Sequence, residues 1–134
     1  MTDKLSQLYK LIGHQISADY ALIAITCSGY ANEKSMTSQD SIAIVGDHVI
    51  KLILTSRAFN ENVKISKGDI TNEYQNLETN ANLEKIGKKY NVKEFLLCLN
   101  TDLHGNKKLA TSIEAIIGAI YLSEGMDKAV DFAE

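Results

Sequence analysis

Apolar residues recur at helical spacing along most of this chain, and the alternation that is typical of strands is nearly absent. The sequence contains no proline, so nothing in it forces a long helix to break. We therefore predict an all-α domain of seven or eight helices. The predicted helices span residues 4–12, 18–27, 39–59, 69–78, 80–90, 92–99, 107–122 and 126–134, and the predicted loops include residues 28–38 and 100–106.

The 134 residues are enough for one domain, residues 1–134, with a single buried core. The net charge of −3 argues against a surface covered in nucleic-acid contacts, although it permits a local basic stripe. The sequence shows no secretory signal. It also shows no apolar run that approaches the ~20 residues needed to span a membrane. We expect an intracellular protein, cytoplasmic or nuclear, with no membrane contact, in which Cys27 and Cys98 are reduced core thiols.

Two apolar helices each carry one narrow polar seam. In the segment "SQDSIAIVGDHVI", Asp40, Ala43 and Asp47 lie on one helical face. In "LATSIEAIIGAIYLSEG", the corresponding face carries Thr111, Glu114, Gly118 and Tyr121. Each seam thus combines a carboxylate with a nearby glycine, and a glycine inside a helix costs about 1 kcal/mol relative to alanine. A second backbone passing close to Gly46 and Gly118 would justify that cost.

The carboxylates Asp47 and Glu114 admit two interpretations. We expect neither to be paired with a Lys or Arg of its own helix, so in a buried setting they would need a metal or several hydrogen-bond donors. Facing carboxylates with oxygen ligands suit Mg²⁺. The alternative is that both acids lie at the solvated rim of their helices.

Four segments, in order, resemble the catalytic domain of the ribonuclease III family. They are "ALIAITCSGYANE", "SQDSIAIVGDHVI", "ISKGDITNEYQNLETNANLEKIGKKY" and "LATSIEAIIGAIYLSEG", which correspond to the family patterns "THxSYxNE", "NERLEFLGDAVL", "EGxLTxxR" and "ADxFEAxiGAiYLDxG". The resemblance implies an all-helical endonuclease domain that forms a two-fold dimer around double-stranded RNA. It also implies a carboxylate cluster that binds Mg²⁺, or Mn²⁺, and promotes phosphodiester hydrolysis.

The resemblance carries over to the site only in part. It implies that Asp47 and Glu114 are metal ligands and catalytic residues, with Asp40 as a shortened outer carboxylate. Ala43 and Thr111 stand where the family has its other two carboxylates, so we expect weak metal binding. Cys27 replaces the usual histidine of "THxS", and Ile44 replaces a phenylalanine that reaches across the dimer interface.

Three functional hypotheses remain open. The chain is a divergent, weakened endoribonuclease, a non-catalytic RNA-binding or structural relative, or the partner of an active chain in a heterodimer. Asp69, Lys67, Lys107 and Lys108 are candidate RNA-binding residues, although such lysines are commonly only solvated surface. We expect no double-stranded-RNA-binding domain in this chain, and therefore modest, salt-sensitive RNA affinity.

Overall fold

The fold of the protein, a computed structural model, is described for residues 2–77, 80–103 and 107–133. Within these ranges it consists of eight α-helices, two short 3₁₀ helices and a single isolated β-bridge. The α-helices are α1 (Thr2–Ile12), α2 (Ala18–Ala24), α3 (Ser28–Lys34), α4 (Asp40–Glu61), α5 (Lys67–Leu77), α6 (Asn80–Lys89), α7 (Lys107–Glu124) and α8 (Met126–Ala133). The 3₁₀ helices are Val92–Phe95 and Asn100–Leu103. The prediction of an all-α domain is confirmed.

Helices α4 and α7 form the centre of the core. Each presents an apolar face at helical spacing, and Ile113, Ile116 and Ile120 of α7 are almost completely buried. Burying one such side chain stabilises the fold by about 1.5–3 kcal/mol relative to leaving it in water. Helices α2, α6 and α8 pack around α7, while α5 packs against α4. None of the helices in the described part of the chain combines the length and apolar character of a membrane span.

The predicted loop at residues 100–106 contains the 3₁₀ helix Asn100–Leu103, and the helix predicted over residues 18–27 ends at Ala24. Two further segments differ more strongly from the prediction. Residues 28–34 were predicted to be loop, but they form α3, whose first backbone amides bond to a distant side chain, Asp102. Residues 92–99 were predicted to be one helix, but only Val92–Phe95 is helical. The following residues are extended because Leu97 pairs with Thr26 in a parallel bridge, exchanging backbone hydrogen bonds with Ile25 and Cys27.

The prediction of two free thiols is wrong, because Cys27 and Cys98 are joined in a disulfide. The two residues are 71 positions apart in sequence, so their spacing gave no sign of a bond. The bridge between Thr26 and Leu97 lies next to them and brings their Cα atoms to 5.0 Å, within the range that a disulfide spans.

Candidate functional site

The candidate site lies where α4 crosses α7. A Cβ added to Gly46 would collide with the backbone carbonyl of Glu114, and one added to Gly118 would collide with the carbonyl of Ile42. The expectation that another backbone passes close to both glycines is therefore confirmed. This contact sets Asp47, next to Gly46, and Glu114 at one crossing of two core helices.

The start of α4 is tied to α7 by a buried polar pair. Gln39 is fully buried, and its side-chain Oε1 accepts a hydrogen bond of 3.0 Å from the Ser112 hydroxyl. The backbone amide of Gln39 donates to the carbonyl of Thr26 at 2.8 Å. Because buried polar groups are costly without partners, these bonds restrict how α4 can sit against α7.

Asp47 is paired with a cation from its own helix. The ammonium Nζ of Lys51 lies 3.1 Å from Oδ2 of Asp47, and the exposed fractions of the two side chains are 41% and 26%. The expectation that no Lys or Arg would pair with this acid is wrong. The i, i+4 spacing of Asp47 and Lys51 places both on one helical face, and that signal was present in the sequence.

The remaining positions of the two seams differ in burial. Ala43 is buried, with 6% of its surface exposed, so the turn preceding Asp47 presents a methyl group where the family pattern has a carboxylate. Thr111 and Glu114 are both partly buried on α7. Near the crossing, the seam of α7 therefore offers one carboxylate, Glu114, with the Thr111 hydroxyl one turn before it.

Asp40 lies at the outer end of the α4 seam. It is exposed and begins α4, two turns or about 10 Å along the helix axis from Asp47. Its backbone amide donates to the Ser38 hydroxyl at 3.3 Å. In the described residues, the carboxylates of Asp40, Asp47 and Glu114 do not gather into a group with ligand atoms all within 4.8 Å of one another. The role of Asp40 as a substitute metal ligand stays a prediction.

One group of potential ligands does gather in the described chain: Cys27, Cys98 and Asp102. Both sulfurs are engaged in the disulfide. The Asp102 carboxylate accepts hydrogen bonds from the backbone amides of Gly29, Tyr30 and Leu99, at 2.9, 3.0 and 2.9 Å. The sulfurs and carboxylate oxygens of this group thus already hold the start of α3 to the segment from Cys98 to Asp102.

The pKa of Asp102 is shifted as a result. Burial raises the pKa of this carboxyl, but the three backbone hydrogen bonds and the nearby positive charge of Lys108 outweigh it, so the pKa is lowered below its usual value. The sequence did not indicate a role for this residue, which was predicted to lie in a loop, because two of its three backbone partners, Gly29 and Tyr30, are more than 70 positions away.

The predicted RNA-binding residues lie on two different helices, α5 and α7. Lys67 and Asp69 are exposed in the first turn of α5, where the Asp69 amide donates to the Ser66 hydroxyl at 3.1 Å. Lys108 is partly buried near the start of α7. Lys107 is the first residue of α7, and its side chain is outside the described part of the structure.

The family pattern has four carboxylates at this site, and this chain keeps two of them. The residues present therefore fit a single divalent cation. Asp47 and Glu114 would supply hard oxygen ligands from two core helices, and Mg²⁺ is commonly held by one or two protein carboxylates with water completing its shell. Ala43 offers no ligand and Thr111 only a neutral oxygen. The charge that would hold a second ion is absent from these four positions.

Exposed apolar side chains of α4 and α7 form a patch on the surface of the protein. Ile44 and Leu52 are 61% and 53% exposed, and Tyr121 of α7 is also exposed beside them. A shallow groove between α4, α7 and α8 is lined by Ile44, Val45, His48, Val49, Leu52, Tyr121 and Met126. We refer to Ile44, Leu52 and Tyr121 as the apolar patch.

Comparison with known proteins agrees with this fold. A family model described as ribonuclease-III-like matches residues 18–134. The chain is 30% identical to ribonuclease 3 of Clostridium perfringens and 28% identical to that of Borreliella burgdorferi, over 96% and 97% of its own length. It spans 57% and 58% of the length of these two relatives.

A solved structure shares the arrangement of helices. The nuclease domain of ribonuclease III from Campylobacter jejuni, described as flexible in a region involved in dimer formation, superposes with a TM-score of 0.86. The identity is 22%, with 96% of this chain and 92% of that chain covered. Because the family model covers most of the sequence and the helical fold agrees with it, this chain belongs to the ribonuclease-III-like family.

Proposed function

We propose that this protein acts on double-stranded RNA as a weak endoribonuclease of the ribonuclease III type, with Asp47 and Glu114 as its remaining site carboxylates. The observation that carries the proposal is the crossing of α4 and α7, where the backbones of Gly46 and Glu114 touch. A crossing this close fixes the two acids on a rigid core. An intracellular location, where such RNA is found, forms part of the proposal.

The chemistry proposed for the site is metal-assisted hydrolysis. A Mg²⁺ or Mn²⁺ ion held by Asp47 and Glu114 would supply Lewis acidity toward a phosphodiester and lower the pKa of a bound water. The protein's own part is to orient the two carboxylates, since both are on core helices that cannot rotate freely. The Thr111 hydroxyl, a neutral oxygen, is proposed to hold a water rather than a metal. Asp40 remains an outer candidate.

RNA recognition is proposed to depend on shape and phosphate contacts. Double-stranded RNA presents phosphates and 2′-hydroxyls more readily than base edges. Lysine ammonium groups suit the phosphates, and a carboxylate can accept a hydrogen bond from a 2′-hydroxyl. Lys67 and Asp69 of α5, with Lys107 and Lys108 of α7, are the proposed contacts. With few phosphates neutralised, we expect binding that weakens steeply as salt is raised.

The apolar patch supports a homodimer as the working form. Ile44 and Leu52 expose more than half of their surface, which is a cost that a second copy of the chain would remove. Ile44 occupies the position of the family's interface phenylalanine. A heterodimer with another ribonuclease-III-like chain would use the same patch.

A second candidate function is RNA binding without cleavage. It is favoured by one observation: Asp47 already has a counter-ion in Lys51, while Ala43 is buried and apolar. A protein with this arrangement could keep the fold, the dimer and the RNA surface without the reaction.

A cleavage assay separates the two functions. Long double-stranded RNA is incubated with the protein in Mg²⁺ or Mn²⁺, and the products are sized for short duplexes with 3′ overhangs. The proposal expects slow, metal-dependent cleavage that is lost in Asp47→Asn and kept in Asp131→Asn, an exposed acid of α8. RNA binding with no cleavage in either metal would contradict the first function and support the second.

A further inference from the structure

We propose that Lys51 is a built-in counter-cation of the Asp47 carboxylate, so that a divalent cation must displace its ammonium group before binding there. This inference rests on the proposed site at Asp47 and Glu114. It names a residue that controls metal access to that site, and it concerns binding of the metal independently of RNA cleavage.

The residues concerned form one stripe on α4. Ala43, Asp47 and Lys51 follow each other at intervals of four residues, which places them on neighbouring turns of the same face. Their formal charges sum to zero. With the family's glutamate in place of Ala43, the same stripe would carry a second acid next to Asp47. The turn before Asp47 has thus lost an anion, and the turn after it presents a cation.

The geometry holds this ion pair at the site. Asp47 follows Gly46, whose backbone touches that of Glu114, so the backbone that carries the acid cannot move away from the crossing without disturbing the core. The lysine has a flexible stem, but its ammonium lies 3.1 Å from the carboxylate oxygen. Both groups remain partly exposed, at 41% and 26% of their side-chain surface, so ions from solvent can exchange with the ammonium.

The ion pair between Asp47 and Lys51 affects cation binding at Asp47 more than it affects the stability of the fold. Exposed ion pairs between neighbouring helical turns contribute little to stability. A divalent cation on Asp47, however, would stand a few ångströms from a positive charge, and their repulsion in water weakens binding by about ten-fold. Lys51 therefore lowers the metal affinity of a site that already has few ligands.

The test measures Mn²⁺ binding to the 134-residue chain, by the loss of the free-ion paramagnetic resonance signal, in the absence of RNA. Lys51→Met keeps most of the side-chain stem and removes the charge, and it is expected to bind Mn²⁺ about ten-fold more tightly than the unaltered chain. Lys51→Arg keeps the charge and is expected to match the unaltered chain. Adding Asp47→Asn to Lys51→Met is expected to abolish the gain.

Each other outcome overturns the inference. Equal affinity in the unaltered chain and Lys51→Met, including no measurable binding in either, would show that Lys51 does not control the metal. A gain that survives Asp47→Asn would place the ion elsewhere. Thermal unfolding of each variant checks that it is folded. A gain in Mn²⁺ affinity without RNA cleavage would support this inference while contradicting the proposed nuclease, so the two fail separately.

Discussion

Asp102 shows how a single side chain can organise a region that has no long helix of its own. Helix α3 begins without a hydrogen bond from its own N-cap side chain, and the carboxylate of Asp102 takes that place from 72 and 73 residues away. A third bond, from the Leu99 amide, holds the residues that follow the parallel bridge. An anion near the start of a helix is also favoured by the helix dipole.

Removing the Asp102 carboxylate should destabilise the fold. Asp102→Ala leaves three backbone amides without their acceptor, and hydrogen bonds to a charged group are worth about 1.5–3 kcal/mol each before water replaces some of them. We expect a loss of about 2–4 kcal/mol in the free energy of unfolding, measured by urea denaturation. Asp131→Ala, at an exposed position of α8, is the control and should change little. An Asp102→Ala protein as stable as the unaltered chain would contradict this role.

The lowered pKa of Asp102 gives the stability a definite pH dependence. The ionised carboxyl is favoured by folding, so its contribution is complete above the unfolded-state pKa of about 4 and is lost as the pH falls through the lower folded-state pKa. The difference in unfolding free energy between the unaltered chain and Asp102→Asn should be constant from pH 7 to about 5 and shrink below about 4. A difference that grows as the pH is lowered would show the opposite sign of the shift.

At the scale of the elements, the crossing of α4 and α7 depends on two glycines. Gly46 and Gly118 allow the helix backbones to touch, and a methyl group on either would meet a carbonyl oxygen that belongs to the other helix. Such an oxygen cannot turn aside as a flexible side chain would. The same contact positions the candidate site, so the packing of the core and the site geometry share one cause.

Gly46→Ala should therefore be strongly destabilising. Overpacking of a core usually costs about 1–3 kcal/mol, and we expect the upper end of that range or more because backbone has to move. The matched control is Gly68→Ala in α5, where an added Cβ meets nothing within 4 Å. That variant should be neutral or slightly stabilised. Thermal unfolding of both proteins tests this, and equal melting temperatures would contradict the close crossing.

Much of this element-level picture was readable from the sequence. The helical spacing predicted the long helices α4 and α7, and the costly glycines indicated their close contact. The sequence could not show that residues 28–34 are helical, because their stabilising partner, Asp102, is distant. Nor could it show that Leu97 is extended and that Cys27 meets Cys98, since both depend on pairing across the fold. Lys51 is different, because its i, i+4 relation to Asp47 was visible and was missed.

On the scale of the whole molecule, the apolar patch predicts self-association. If Ile44 is central to a dimer, Ile44→Asp should place a charge in an apolar interface and raise the dissociation constant by at least about 100-fold. Val63→Asp, at a 67% exposed apolar residue between α4 and α5, is the control and should leave the assembly unchanged. Sedimentation equilibrium measures both. A dimer that persists in Ile44→Asp, or a monomeric unaltered chain, would contradict the proposed interface.

The central claim is that the crossing of α4 and α7 is a ribonuclease III site that has lost two carboxylates and carries Lys51 beside Asp47, one of the two that remain. The most direct measurement is the rate of double-stranded RNA cleavage in Mg²⁺ by a variant with Ala43→Glu, Thr111→Asp and Lys51→Met combined. The account predicts a rate at least about ten-fold above that of the unaltered chain, and loss of this gain when Asp47→Asn is added. No gain in a folded variant that still binds the RNA would contradict it.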